Sequence, residues 1–490
     1  MTATTDDTPV LVGVGTAVHR PDDGPTPDPI SLMTAAARAA GSDGAGDRGA
    51  ELLAEVTWLG VAKGTWTHPD PGRALARDIG IGDAHTVLAE VGILQQTVLA
   101  RAVEVVAQGA AAALVVGGEA AYATDGGAAK AVAGSLLAES TGPDERWTTD
   151  DYGLSHEELS RGFVDPPTVY AVIESALAHQ AGRSPLEQRD HLGRLQARFS
   201  AVTPDNPDAW RRSEVAAATV ATPTADNRLV AEPYTKLCCS NLRVNQAAAL
   251  LLTTVGRARA AGVPEEQWVF PHTSTESNLS VPVLHRPDLH RSPGAAVAGR
   301  RALELADATV DSIEHLDLYS CFPAAVQVYA AELGVDLDRQ PTVTGGMTFA
   351  GGPLNNYVLQ STAAMARVLR EDPGSRGLVT SVSGMITKQG FAVWSTDPPL
   401  SGFRFEDVTE EVRGGDERLP ETGAHTGPVR IVGHTVLHDR NGPVEAVALV
   451  ETDEAVRLIV HSGDADLIEA FTMQDQVGTV HHVSATELLP

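Results

Sequence analysis

Three consecutive pieces decide how this chain is read: DLYSCFPAAVQVYAAELG (317–334), TVTGGMTFAGGPLNNYVLQSTAAMARVLRE (342–371) and GLVTSVSGMITKQGFAVWST (377–396). Each brings a short apolar strand pattern to a glycine- or serine-rich turn and is expected to start a helix after it. An α/β protein gathers backbone amides and side chains around a buried ligand in this way. Gly345, Gly346, Gly351 and Gly352 remove four side chains within eight residues, so a ligand is expected to approach the backbone closely there. Asn355 or Asn356 is placed to cap the amphipathic helix that runs on to about Glu371. This pattern predicts a pocket and leaves the reaction open.

Working outward, the same plan recurs near the other end of the chain. PVLVGVG (9–15) is a continuous apolar run, as in a strand buried on both faces. SLMTAAARAAG (31–41) follows as a helix with a glycine stop. HTVLAEVGILQQTVLARAVEVVAQGAAAALVVGGEA (85–120) has a long helix in its middle, with Ile93, Leu94, Val98, Leu99, Ala102, Val103 and Val106 on one face, and then a buried strand. Two related α/β halves are therefore expected: residues 1–260, carrying an inserted region at 121–230, and residues 261–400. The insertion is rich in Asp, Pro, Ser and Arg and contains two helical stretches, PTVYAVIESALAHQAG and SPLEQRDHLGRLQARFSAV. AAALLLTT (247–254) resumes a buried strand.

The last ninety residues change character. Residues 401–424 are acidic and rich in Gly and Pro, as in a linker. VRIVGHTVLHD, VEAVALVETDE, VRLIVHSG, DADLIEAF and TVHHVSATEL then read as short alternating strands with one helix, so a small closed or half-closed barrel is expected over 425–490.

Composition bounds the function. Of 490 residues, 43% are apolar but only 4% aromatic. Ala, Val and Leu therefore carry the core, which suits close helix-on-sheet packing rather than a stacking groove for nucleic acid. A net charge of −28 also repels a phosphate backbone. A polyanion such as coenzyme A would need a local cluster of Arg and backbone amides against that field. Three cysteines, Cys238, Cys239 and Cys321, make a disulfide framework or a Cys-based metal site implausible. The N-terminus lacks a basic leader and no run of about 18 apolar residues occurs, so a cytoplasmic protein with no membrane partner and no metal is expected.

DLYSCFPAAVQ, TVTGGMTFAGGPLNNY, PYTKLCCSNLRVNQAAALL and EVGILQQTVL together resemble the thiolase superfamily, and within it the actinobacterial type 1 thiolase-like proteins, relatives of the sterol carrier protein thiolases. The likeness runs from about residue 9 to 398. It implies the thiolase fold, two βαβαβαββ halves with an inserted loop domain, and coenzyme A or an acyl-CoA as ligand. The tail is similar to the oligonucleotide-binding type of barrel that other thiolase-fold proteins recruit as a partner domain.

The resemblance also implies a catalytic set, and this chain departs from it. Val91 and Gly92 stand where thiolases carry the acyl-accepting cysteine. Gly351, Gly352 and Pro353 stand in place of the Gly-His-Pro turn that supplies the base. Ser381 or Ser383 matches the second cysteine. The His-Asp-Cys-Phe motif reads Tyr319, Ser320, Cys321, Phe322. Hydroxyls with a pKa far above neutral do not replace thiols in proton shuttling, and the loss of cooperating groups removes orders of magnitude in rate. Little or no thiolysis or acetyl transfer is expected.

The catalytic candidates are Tyr319, Cys321 and Ser383, and the candidates for holding the CoA are Gly345, Gly346, Gly351, Gly352, Asn355 and Asn356. Tyr319 opens an alternative, because the thiolase-fold steroid side-chain aldolases carry a tyrosine at that place: a retro-aldol carbon-carbon lyase on CoA thioesters. A non-enzymatic interaction module whose barrel recruits a protein partner is the third reading. Tyr357 and Lys388 flank the turns; Glu119, His481 and His482 have no role that the sequence names. Thiolases dimerise through the strand before the cysteine region, and a monomer or homodimer is expected here.

Overall fold

A computed structural model of the chain describes residues 5–122 and 142–490; the part of the expected insertion from 123 to 141 lies outside the described residues. The first half runs β1 (Pro9–Val18), α1 (Pro29–Ala45), β2 (Val56–Ala62), α2 (Pro71–Ile79), β3 (His85–Ala89), α3 (Gln95–Ala107) and β4 (Ala112–Ala120). Asp28 starts α1 by accepting hydrogen bonds from the Ile30 and Ser31 amides, with Pro29 as its first residue. Side chains at Gly13 or Gly15 would run into the backbone carbonyls of Ala40 or Ala36. Two glycines thus let α1 lie directly on β1, which is how a core poor in aromatics reaches close packing.

The insertion supplies β5 (Glu145–Trp147), α4 (Pro166–Gln180), α5 (Pro185–Ala201) and the ribbon β6 (Leu229–Ala231) with β7 (Tyr234–Thr235), and β8 (Asn245–Thr254) closes the first half. The second half follows as β9 (Phe270–Ser277), α6 (Pro293–Leu305), β10 (His315–Asp317), α7 (Pro323–Leu333), α8 (Tyr357–Glu371), β11 (Arg376–Ser383) and β12 (Lys388–Ser395).

The two sheets have the same order. In the first, β1 pairs with β8, then come β4, β2 and β3; in the second, β9 pairs with β12, then come β11 and β10. The last strand of each half is antiparallel to both its neighbours, while β2 with β4 and β10 with β11 run parallel. Where the first half has β3, the described residues of the second show a backbone bond from the Leu318 amide to the Pro341 carbonyl (3.0 Å) but no paired strand. Helices α3 and α8 pack against both sheets and form the middle layer. This is the expected two-half architecture.

The 401–424 stretch, which composition reads as a linker, is more than that. It lays down β13 (Arg404–Asp407) parallel to the edge of β9 and then a short helix at Thr409–Gly414. A four-residue edge strand held by backbone bonds needs no apolar face. The tail then forms β14 (His425–His438), β15 (Pro443–Glu451), β16 (Arg457–Ser462), α9 (Ala465–Met473), β17 (Val480–Ala485) and β18 (Glu487–Leu489). The order β14-β15-β16-β18-β17 returns to β14, so five strands close a barrel. Its interior is filled by Val429, Ile431, Val436, Ala446, Ala448, Val450, Leu458, Val460 and Phe471, among others. The barrel is bonded to the body: the His434 amide donates to Ser175 Oγ on α4 (2.8 Å), the Glu232 amide donates to the Val436 carbonyl (2.9 Å), and Leu437 pairs with Ala231 of β6. No described helix is long and apolar enough to cross a membrane.

Candidate functional site

The turns quoted first converge with the head of α3 at one end of the two sheets. Val91 is exposed, and Gly92 has a left-handed φ of 103°, so the turn into α3 is tight and carries no functional side chain. What meets it is a cation. Lys388 Nζ donates to the Gly92 carbonyl (3.1 Å) and to Thr149 Oγ1 (3.0 Å). Burial lowers the Lys388 pKa, and the charges of Asp151 and Glu276 offset this in part.

Lys388 belongs to a row of polar groups on the face of the second sheet that looks at α3. In register, Ser383 pairs with Lys388, Ser381 with Gly390, and Gly390 with Glu276. Thr97 Oγ1 on α3 donates to Glu276 (2.6 Å), Asn278 Nδ2 donates to its other oxygen (2.9 Å), and Gln96 Nε2 donates to Ser274 Oγ (3.2 Å). Burial lifts the Glu276 carboxyl to about 6. Neither Glu276 nor Asn278 is visible as a candidate in the sequence. The signal is the strand FPHTSTES (270–277), buried throughout although six of its eight residues are neither aromatic nor aliphatic; a buried strand of that kind must have partners for its polar groups.

The opposite wall is desolvated. Tyr319 is buried, its ring edge-on to Tyr357 at 5.8 Å between centroids. Cys321 lies just before α7, and its neighbour Phe322 stacks on Tyr170 at 4.6 Å. The hydroxyls of Tyr170 and Tyr329 donate to the carbonyls of Gly384 (3.2 Å) and Ser381 (2.9 Å), tying this wall to the end of β11. Burial pushes the Cys321 thiol up to about 12 and the Tyr319 phenol well above its usual value, with Cys321 adding to the latter. Near neutral pH these groups are uncharged. Cys238 is likewise pushed up to about 12 by burial.

Asp317, which the sequence reading passed over, organises the glycine turn. Its Oδ2 accepts from Thr342 Oγ1 (2.8 Å), the Val343 amide (3.1 Å), the Thr344 amide (3.2 Å) and Thr344 Oγ1 (3.0 Å), and its Oδ1 accepts from the Tyr357 hydroxyl (3.1 Å). Burial raises its pKa, and the hydrogen bonds oppose the rise.

The glycines of that turn make room for the chain's own side chains. A Cβ at Gly345 would strike Thr203, one at Gly346 would strike Phe199, and one at Gly351 would strike Gln246. Gly352 faces Met347 and Ser240 at 3.3 and 3.4 Å. At Gly345, Gly346 and Gly351 the space a side chain would take is thus bounded by the end of α5 and by β8. Neither Asn355 nor Asn356 caps α8 with its side chain. That task falls to Gln95 at the head of α3, whose Oε1 accepts from the Val358 amide (2.8 Å), while its Nε2 reaches Asn355 Oδ1 (3.4 Å). The heads of the two middle helices are thereby locked together. Glu119 accepts from the amide and hydroxyl of Thr65 (2.7 and 2.9 Å) and is structural. Among the described residues no group of three or more His, Cys, Asp or Glu is arranged to hold a metal ion.

No family model matches the sequence, and no curated protein matches it. Solved structures do. The chain is similar to the monomeric SCP2-thiolase-like protein type 1 from Mycobacterium smegmatis, with 26% identity and a TM-score of 0.83 over 99% of this chain and 100% of that one. An Ltp2-ChsH2(DUF35) aldolase has 20% identity and a TM-score of 0.59, covering 80% of this chain and 98% of its own. The dimeric peroxisomal thiolase of Saccharomyces cerevisiae has 15% identity and a TM-score of 0.55, covering 81% and 99%. The last two likenesses concern the fold; the first extends over the barrel as well.

Proposed function

We propose that this chain, which belongs to the thiolase superfamily, binds coenzyme A or an acyl-CoA in cytoplasmic lipid or sterol metabolism without performing thiolysis or acetyl transfer. The observation that carries the reading is the Lys388 ammonium on the Gly92 carbonyl (3.1 Å), at the head of the helix where the family's acyl-accepting thiol belongs. A thiol attacks as its anion and needs a base beside it. Here residues 91–92 are Val and Gly, residues 351–353 are Gly, Gly and Pro, and the Cys321 thiol on the opposite wall is held neutral by burial. A buried cation beside a helix N-terminus still favours a thioester carbonyl or a carboxylate. Ser383, Lys388 and Gly92 are the groups on which the acyl end would rest.

The test combines binding with mass. CoA and acetyl-CoA titrated into the protein should give saturable isotherms, and the intact mass after incubation with acetyl-CoA should be unchanged. An isotherm without binding at millimolar ligand removes the reading; an acetylated protein whose label maps to Cys321 replaces it with acyl transfer.

The alternative, a retro-aldol lyase using Tyr319, draws on the likeness to an aldolase and on the place of that tyrosine. Desolvation of the phenol weighs against it as a base. Tyr319→Phe should leave any such cleavage reduced by at least about a hundredfold if the phenol moves the proton.

An interaction module acting through the barrel is supported less, because β14 is already engaged by β6 and α4. A monomer is favoured by β5, which pairs in parallel along the outer edge of β3 and occupies the strand edge that the family uses for dimerisation.

A further inference from the structure

A protein of net charge −28 that binds a polyanion needs a local concentration of positive charge, and one cleft supplies it. Between the insertion and the first hairpin of the barrel lies an open cleft of about 830 Å³ lined by Arg228, Lys236, His438 and Arg440, with Thr224, Asn441 and the single acid Asp439. Lys236 and Arg440 are exposed, and Arg228 is half-buried. One Arg228 nitrogen donates to the carbonyls of Leu229 (2.8 Å) and His438 (3.1 Å), pinning the guanidinium across the seam between the two regions. Asp439, which also lines the cleft and feels the Arg228 charge, is held in its own hairpin, where it accepts from the amides of Asn441 (2.6 Å) and Gly442 (3.1 Å). Among the described residues no carboxylate lies at ion-pair distance from Arg228, Lys236 or Arg440. Lys236 and Arg440, beside the carbonyl-bonded Arg228, form in a concave surface a local positive field that the rest of the molecule opposes, and a guanidinium fork beside an ammonium suits phosphate oxygens.

The cleft is also close along the chain to residues that touch the 351–353 turn. From Lys236 the chain runs four residues to Ser240, which touches the Gly352 position at 3.4 Å, and the Gly352 amide donates to the Asn241 carbonyl (2.9 Å). Four residues span at most about 14 Å, a distance that a pantetheine arm covers.

We propose that this cleft binds the phosphates of the CoA moiety, so that the fused barrel completes the ligand site through its 438–442 hairpin. The proposal rests on the CoA-binding reading, and the experiment separates the two. Calorimetric titrations of the full chain and of its Lys236→Glu and Arg440→Glu variants use CoA and adenosine 3′,5′-bisphosphate as probes. Both substitutions are at exposed side chains, and melting curves confirm that the variants fold. Each reversal should weaken CoA binding about tenfold or more, and added salt should weaken the wild type in the same direction. CoA bound equally well by the wild type and both variants overturns the cleft and leaves the CoA reading standing. Bisphosphate bound by the wild type and lost in the variants, with CoA not bound, removes the CoA reading and with it the cleft as a CoA phosphate site. Neither probe bound by the wild type removes both.

Discussion

The two walls of the reaction end treat charge in opposite ways. Around Gly92, Lys388, Ser383 and Glu276 the wall is polar, and two buried ionisable groups, the Lys388 ammonium and the Glu276 carboxyl, are hydrogen-bonded, while Gln96 Oε1, Ser277 Oγ and Ser381 Oγ have no partner. Around Tyr170, Tyr319, Cys321 and Tyr329 the ionisable groups are phenols and a thiol, all pushed upward by burial and therefore neutral. The contrast separates the two ingredients of a reactive thiolate: one wall has charge but no sulfur, and the other has a sulfur, Cys321, whose pKa burial pushes up to about 12.

Three measurements would break or sharpen this contrast. The largest effect is expected at Asp317, which holds the glycine turn against the desolvated wall with five hydrogen bonds from Thr342, Val343, Thr344 and Tyr357. Asp317→Leu leaves those donors buried without an acceptor and should cost about 4 kcal/mol in urea unfolding; a loss under about 1 kcal/mol would mean that the turn stands without it.

Next is the reactivity of Cys321. With its thiol pushed up to about 12, the thiolate fraction near neutral pH is roughly a thousandfold below that of an unperturbed cysteine. Alkylation by iodoacetamide, followed by peptide mass spectrometry, should be slower than that of a model thiol by at least that factor. Rapid labelling would make the wall reactive after all.

The smallest effect concerns Glu276. Its folded pKa of about 6 lies above the ordinary value of 4.5, so the fold favours the protonated form. That contribution is complete below about pH 4.5 and is lost as the pH rises through about 6. The stability difference between the wild type and Glu276→Gln should therefore change by about 2 kcal/mol between pH 4.5 and pH 7.5, the wild type being relatively weaker at the higher pH. A difference independent of pH would place Glu276 in a wetter setting than the one described.

Much of the fold was legible because burial leaves periodic marks. PVLVGVG and ALVVGG are apolar at every position because both faces of those strands are covered, and the alternation of the tail announces a barrel with an inside and an outside. The edge strand Arg404–Asp407 left no such mark, since backbone bonds to β9 hold it without an apolar face. At the site, that residues 91–92 hold no thiol and residues 351–353 no imidazole is read directly from the sequence; what this does to the reaction is for the acetyl-CoA experiments to decide. The roles of the glycines were not legible, because Phe199 and Thr203, which fill their open sides, come from an insertion more than a hundred residues earlier. Glu276 and Asn278, on and just past β9, were hidden for a related reason: that strand is buried by hydrogen-bonded packing between α3 and α6 and carries no hydrophobic run to betray it.

The most direct test is calorimetry with acetoacetyl-CoA injected into the protein in the presence of free CoA, which reads occupancy and turnover in one trace. A saturable binding heat that decays to baseline after every injection is the expected result. Heat flow that persists until the thioester is consumed would restore a working nucleophile to this cleft and contradict the account.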